Sequence, residues 1–280
     1  MFALHYIPTV LPIIAALALC ALHPAVWTYG LAALATGLAQ NGLGVLMHEA
    51  SHGFFHQNRR INDVLADVLV CWPIFNTVEG YRVPHLDNHR YSGSQRDPYA
   101  QLYTGYGSRS RLTLLLAGDL LLFRSITKFA DRYFHAATQP RSALDMRSLG
   151  ALGLVQGFLF SVYAVATGRW YAYLVLWLLP LMTLPQFINR VRTIAEHSRE
   201  PGDAAVNRST VAGWWEYLLV APYGYSYHFE HHLAPTVPYY YLAAAHRLLA
   251  DRGFGFTRGE LTGGYLRTFV RLYRRMDFAS

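Results

Sequence analysis

The chain has 280 residues, of which 53% are hydrophobic and 15% are charged. Soluble globular proteins carry about 25% charged residues, so this composition argues against a soluble protein and favours a membrane protein. The formal net charge is +7, but the basic residues lie between apolar stretches and are not gathered in one arm or helix, which argues against nucleic-acid binding. Cys20 and Cys71 both lie in apolar runs without metal-type spacing, so a disulfide framework is not expected.

Two pairs of apolar stretches predict two membrane-spanning helical hairpins. About 20 apolar residues cross a bilayer. The predicted spans cover residues 7–22, 26–47, 149–167 and 170–188, and each pair is separated by a very short turn. The arginines of the intervening segments fall on one side of this topology, which the positive-inside rule makes cytoplasmic. We therefore expect an all-α integral membrane protein with four transmembrane helices and cytoplasmic termini.

Three further segments are predicted to lie outside these spans. Residues 64–75 and 112–123 are apolar but too short to span, and they contain Asp67 and Asp119, which favours interfacial or buried helices. Residues 246–280 are basic and amphipathic, which fits either a helix on an anionic membrane surface or a solvated tail. The sequence thus predicts a single domain, residues 1–280, in which residues 48–148 and 189–280 form a helical cap on the cytoplasmic side.

Nine of the 13 histidines fall in four short segments. These segments read HEASHGFFH (His48, His52, His56), HLDNH (His85, His89), RTIAEH (His197) and HFEHH (His228, His231, His232). On a helix, residues three or four apart share a face, so each group would direct two or three imidazoles towards one point. All four segments adjoin predicted cytoplasmic membrane exits, and we expect the chain to bring them together there. Isolated histidines such as His246 are read as hydrogen-bonded core groups.

This number of imidazoles predicts two metal ions. A zinc site uses about four ligands and a catalytic zinc only three from the protein, so nine histidines exceed the needs of one ion. Imidazole binds iron, copper and zinc alike, and the count therefore does not select the element. The competing interpretation is a zinc peptidase, because HEASH matches H-E-x-x-H with Glu49 as general base. That hypothesis leaves His85, His89, His228, His231 and His232 without a role. A non-catalytic metal-binding membrane protein is a further alternative, which bound zinc and an absence of O2 consumption would favour.

Beyond the histidines, the boxes resemble those of the membrane fatty acid desaturase and hydroxylase superfamily. HEASHGFFHQNRRIND is similar to the first box of that family, YRVPHLDNHRYSGSQRDPY to the second and YSYHFEHHLAPTVPYYYLAAAHRLL to the third. RTIAEH is similar to the segment that supplies one more histidine before the third box. With the two hairpins, the likeness extends from about Val26 to Leu249.

The resemblance implies a di-iron centre held almost wholly by histidine in a cytoplasmic cap above four spanning helices. By matching position, the implied iron ligands are His48, His52, His85, His89, His197, His228, His231 and His232. The chain departs from the family pattern H-x-x-H-H at Asn88, which replaces one histidine. Three roles are open for Asn88: it binds the metal weakly through its oxygen, it holds a water, or it leaves a coordination position open. His56 is a candidate replacement, and Glu49, Glu196 and Glu230 are candidates for orienting the ligands from outside.

The implied reaction uses O2 and two electrons to remove hydrogen from an unactivated C–H bond. We expect desaturation of a lipid-like acyl chain that enters from the bilayer, with hydroxylation on the same scaffold as the alternative. Iron supplies the required redox chemistry, whereas zinc does not. The sequence contains no recognisable haem or flavin module, so electrons are expected from a separate ferredoxin or cytochrome. An acidic carrier of this kind would be steered electrostatically to the basic cytoplasmic face of the protein.

Overall fold

The computed structural model describes residues 2–104, 106–127, 146–198, 207–257 and 260–275, without the side chains of residues 2–5 and 146. Parts of the predicted cap, residues 128–145 and 199–206, and the end of the predicted surface segment, residues 276–280, lie outside these ranges. The chain divides into two compact units. The first comprises Met1–Arg82 and Ala117–Phe187, and the second comprises Val83–Leu116 and Ile188–Ser280.

The first unit is helical throughout its described core. Its elements, some of which continue into the second unit, are α1 (Phe2–Leu22), α2 (Val26–Ser51), α3 (Arg59–Ala66), a π-helical turn (Asp67–Cys71), a 3-10 turn (Trp72–Ile74), the start of α4 (Val78–Tyr91), the end of α5 (Arg109–Leu120), α6 (Met146–Thr167), a second π-helical turn (Leu174–Leu178) and the start of α7 (Leu179–His197). The core packs α1 and α2 against α6 and both π-helical turns, with Cys20, Leu43, Leu46, Val70 and Leu176 fully buried.

Among the described residues, three helices are long and apolar enough to cross a membrane, namely Val26–Ser51, Arg147–Thr167 and Leu174–His197. They overlap the last three predicted spans and are candidates by length and composition. The first predicted span, residues 7–22, lies in α1, which is apolar but is not among these three. Residues 64–75 belong to helix Arg59–Ile74, which meets Val78–Tyr91 at a 90° bend, and together the two pass the same test either as a broken span or as a re-entrant loop.

Two of the candidate spans extend past their predicted ends and carry histidines there. Helix α2 continues beyond residue 47 to Ser51, so that His48 lies in its last turn. Helix α7 continues beyond residue 188 and ends at His197. Glu49 and Glu196 lie beyond the predicted ends of these spans, but they are buried and continue the helices. The helices themselves therefore position the two histidines.

Irregular backbone inside the first unit is satisfied by polar side chains. The carbonyl groups of Trp72 and Pro73, in the 3-10 turn, accept hydrogen bonds from Gln156 Nε2 at 2.6 and 3.1 Å. The Tyr173 hydroxyl donates to Gln156 Oε1 at 2.5 Å, and Trp177 Nε1 donates to the Pro73 carbonyl at 3.1 Å. A membrane interior offers no water to such groups, so Gln156 is needed where the helix breaks.

We expect Gln156→Leu to destabilise the protein by about 1–3 kcal/mol, because it removes three hydrogen bonds and leaves the Tyr173 hydroxyl without its acceptor. The measurement is thermal unfolding in detergent. Ser161→Ala is the matched control on the same helix, since Ser161 bonds only within the helix, to the Gly157 carbonyl. Equal unfolding temperatures for the two variants would contradict the assignment.

The second unit combines short helices with a small parallel sheet. Its described elements are the end of α4, a 3-10 turn (Ala100–Leu102), the start of α5, the end of α7, β1 (Ser209–Val211), α8 (Trp214–Leu219), a 3-10 turn (Pro222–Gly224), α9 (His228–Leu233), α10 (Tyr239–Asp251), β2 (Leu261–Gly263) and α11 (Tyr265–Arg275). The strands pair with Thr210 opposite Thr262. The all-α prediction missed this sheet because strands of three residues give no periodic signal.

Candidate metal centre

Six of the nine histidines picked out in the sequence converge within the second unit. His85 and His89 lie one turn apart on α4, and their Nε2 atoms are 3.1 Å apart. The His89 ring lies 4.6 Å from the His231 ring and 4.3 Å from the His232 ring, both on α9. His197, at the end of α7, places its Nε2 2.8 Å from His228 Nε2. The spacing predicted from the sequence therefore holds for α4 and α9.

These six histidines form two groups of three that can each hold a metal ion. The groups are His85, His89 and His231, and His197, His228 and His232, and in each group the available ligand atoms lie within 4.8 Å of one another. The 4.3 Å contact between the rings of His89 and His232 links the groups. An arrangement of two adjacent imidazole groups has the donor chemistry of a site for two ions.

The His232 ring carries the strongest indication of a missing partner. Neither of its ring nitrogens has a hydrogen-bond partner among the described residues, although both are buried. Burial holds the pKa of His232 well below its ordinary value, and it does the same to the pKa of His228. Both rings are therefore neutral, which is the form that binds metal. A buried polar group without a partner costs free energy, and coordination of an ion would remove that cost.

In the first unit, His48 and His52 lie at the end of α2 with ring centroids 5.0 Å apart. His48 Nδ1 donates to Glu49 Oε1 at 2.9 Å, which fixes the orientation of the ring. In a zinc peptidase this glutamate would be the general base, whereas here it is buried against His48.

The prediction that His56 continues the line of His48 and His52 was wrong. The helix ends at Ser51, where Gly53 has φ +87° and the amides of Gly53 and Phe54 bond back to the carbonyls of Ala50 and Glu49. This is a Schellman ending, which the sequence encodes through Gly53. His56 lies beyond it, exposed, and its Nδ1 accepts a hydrogen bond from the Asn58 amide at 2.9 Å.

Asn88, the departure from the family pattern, is held by a carboxylate. Its Nδ2 lies 3.0 Å from both oxygens of Asp97, and both side chains are buried. Asp97 also accepts from the Tyr103 hydroxyl at 2.5 Å, and the Tyr103 ring stacks on His197 at 5.0 Å. These contacts connect Asn88 to His197 through Asp97 and Tyr103. The spacing of the histidines in the sequence gives no information about this connection.

We expect Asp97→Asn to loosen this connection and to lower metal content. The variant places an amide nitrogen or a single oxygen against Asn88 and Tyr103, and the loss is about 1–3 kcal/mol of stability. Metal content per chain and thermal unfolding measure the two effects. Asp87→Asn on the same helix is the control, because the Asp87 side chain is 45% exposed and only 3.9 Å from Arg90. Unchanged metal content in Asp97→Asn would refute the role.

The other two glutamates differ in what they contact. Glu196 accepts a hydrogen bond from the Tyr265 hydroxyl at 2.7 Å and lies 3.8 Å from His228 Nδ1, so it faces a candidate ligand. Glu230 instead bonds Ser209 Oγ and His246 Nδ1.

Glu230 therefore anchors α9 from its far side and does not contact a candidate ligand through any described contact. Ser209 Oγ also accepts from the Phe229 amide at 2.9 Å, which ties the start of α9 to β1. Sequence analysis missed Ser209 and placed His246 among ordinary core histidines. Ser209 and His246 reach Glu230 from other segments of the chain, so the spacing of the histidines gave no indication of these contacts.

The chain matches the family model described as "Fatty acid desaturase" over residues 24–256. It belongs to the fatty acid desaturase family. The resemblance expected from the histidine boxes is confirmed, and this desaturase-family protein is an oxidoreductase with apolar helices suited to a membrane.

Three relatives illustrate the similarity. Dihydrorhizobitoxine desaturase of Bradyrhizobium elkanii is 26% identical over 281 residues, covering 94% of this chain and 79% of the relative. The sn-1 oleoyl-lipid 12-desaturase of Arthrospira platensis is 24% identical over 79% of this chain and 66% of its own. The chloroplastic omega-6 fatty acid desaturase of Spinacia oleracea is 23% identical over 82% of this chain, which spans only 54% of that relative.

Proposed function

We propose that this desaturase-family protein is an O2-dependent di-iron enzyme that introduces a double bond into a lipid-like acyl chain. The observation that carries the proposal is the pair of three-histidine groups, in which burial lowers the pKa values of His89, His197, His228 and His232 and in which His232 has no hydrogen-bond partner among the described residues. Family membership and relatives named for oleoyl-lipid and omega-6 fatty acid desaturation support the reaction class.

The proposed ligands are the eight histidines that match the family boxes. They are His48, His52, His85, His89, His197, His228, His231 and His232. His48 and His52 enter on the strength of the first box, and the other six on that resemblance together with their grouping. When bound, iron would supply the redox chemistry that O2-dependent cleavage of an unactivated C–H bond requires and that zinc lacks.

The chain's own groups prepare the site in three ways. Burial lowers the pKa values of His89, His197, His228 and His232, which favours coordination over protonation. Glu49 fixes the orientation of His48, and Tyr103 packs on the face of His197. The amide nitrogen of Asn88 donates to the Asp97 carboxylate, so the proposed role of Asn88 is to hold α4, which carries His85 and His89, in position.

The overall reaction converts a –CH2–CH2– unit to –CH=CH– and reduces O2 to two waters with two electrons and two protons. A separate ferredoxin or cytochrome donates the electrons. We place the termini and the metal centre on the cytoplasmic side, where the arginine-rich segments 59–111 and 190–192 would face an acidic carrier. Hydroxylation of the same C–H bond is the alternative outcome on the same ligand set.

The experiment combines metal analysis with product analysis. We expect detergent-purified protein to contain about two irons per chain, with spin-coupled Mössbauer signals from iron-enriched material. Acyl-lipid substrates incubated with O2 and a reducing system should yield products lighter by two hydrogens. Products heavier by one oxygen would reassign the protein as a hydroxylase. One zinc per chain without iron would overturn the proposal and return attention to Glu49 as the base of a peptidase.

A further inference from the structure

A cavity separate from the histidine groups lies in the second unit between α8, β2 and α11. It has a volume of about 940 Å3. The charged side chains that line it are Glu216, Arg267, Arg271, Arg274 and Arg275. We call it the arginine groove. Arg267, Arg271 and Arg274 follow the spacing i, i+4, i+7, so they share one face of α11, whereas Tyr265 and Leu272 on the opposite side are buried.

The charge of the groove is not balanced by the acidic residue in its wall. Four arginines against one glutamate give a net charge of +3. The Glu216 carboxylate is held by backbone amides, those of Leu266 at 2.9 Å and Gly213 at 3.3 Å. Within the described residues, Arg267 and Arg274 form neither an ion pair nor a hydrogen bond. Guanidinium groups remain charged at all relevant pH values, so the groove attracts an anion.

Apolar side chains are part of the lining of the groove. Leu266, which is 55% exposed, and Trp215, which is 39% exposed, both line it, and the exposed Trp214 and Leu218 lie on the same helix as Trp215. Tryptophan beside arginine is typical of the level at which a membrane protein meets lipid headgroups. Arginine also suits phosphate, because its planar fork donates two parallel hydrogen bonds to the phosphate oxygens.

We propose that the arginine groove binds the phosphate headgroup of an anionic membrane lipid. The concave shape and the net positive charge accommodate a phosphodiester, and Trp215 and Leu266 pack against the glycerol and the first acyl methylenes. An acidic protein would instead need a broad surface of dispersed charges, and free phosphate would make no use of the apolar side chains. The inference concerns lipid binding and depends on neither iron nor turnover.

The test measures binding of short-chain lipids to the full-length protein in detergent. Dioctanoyl phosphatidylglycerol is titrated against the wild type and against the double variant Arg267→Gln/Arg274→Gln. We expect the double variant to bind at least about tenfold more weakly, because it loses two charge-assisted contacts. Dioctanoyl phosphatidylcholine and inorganic phosphate, titrated in parallel, should both bind the wild type more weakly than phosphatidylglycerol.

Arg247→Gln/Arg252→Gln is the matched control. It removes the same charge from the same unit, and both residues are exposed and lie outside the groove. Unfolding temperatures of all three proteins establish that the variants are folded. Equal weakening in both double variants would overturn the proposal, as would inorganic phosphate binding as tightly as phosphatidylglycerol. Unchanged lipid affinity with weaker coupling to an acidic electron donor would also overturn it, in favour of a protein-docking surface.

Discussion

His232→Ala is expected to abolish iron binding at the second group of histidines and to lower turnover at least about 100-fold. The ring nitrogens of His232 are buried, its ring contacts the rings of His89, His197 and His228, and neither nitrogen has a hydrogen-bond partner among the described residues. A histidine retained for core hydrogen bonding would need such a partner. The proposed role as an iron ligand accounts for this ring, and on that proposal its loss removes a ligand.

The decisive measurement is the stabilisation that iron confers on each protein. A ligand that binds only the folded state raises the unfolding temperature, and this rise should disappear or shrink in His232→Ala. Without iron, the variant should lose only packing, since the described contacts include no hydrogen bond to break. His23→Ala is the control, because its exposed side chain lies in the turn between α1 and α2. A His232→Ala protein with two irons per chain would refute the assignment.

Arg82→Ala is expected to cost about 3 kcal/mol of stability and to lower the metal content with it. Arg82 belongs to α4 and is buried against the end of α2, where its Nε donates to the Ser51 carbonyl at 2.8 Å. Its guanidinium also bonds both oxygens of Asp63, at 2.5 and 3.0 Å, and Glu79 at 2.7 Å. Removing the arginine leaves Asp63 and Glu79 with only the more distant and exposed Arg59, and it leaves the Ser51 carbonyl without this donor.

Metal content should fall with stability, because the last turn of α2 carries His48 and is followed directly by His52. Asn62 holds the neighbouring Ala50 carbonyl at 2.9 Å, so the helix end depends on both side chains. Arg59→Ala is the matched control, since Arg59 approaches the same Asp63 and Glu79 at 3.9 and 3.8 Å but is 68% exposed. It should change stability by less than about 1 kcal/mol. Arg82→Lys should be intermediate, because lysine cannot bond Asp63 and Ser51 simultaneously. Equal losses in Arg59→Ala and Arg82→Ala would contradict this role.

The sequence by itself determined the family and most of the helices. Histidines spaced three and four apart can share a helical face, which α4 and α9 confirm, because helix geometry is local. Apolar stretches of about 20 residues likewise predicted three of the candidate spans from composition alone. The family followed from the boxes, since their residue types and order do not depend on any contact.

Only the tertiary structure decided which polar groups support the histidines. Asp97 reaches Asn88 and Tyr103, and Glu230 turns away to Ser209 and His246, because folding brings segments that are distant in the chain into hydrogen-bond range. The bend between α3 and α4 and the two-stranded sheet were missed for the same reason. Spacing fixes what one helix can present, whereas the partners of a buried polar group depend on the segments packed around it.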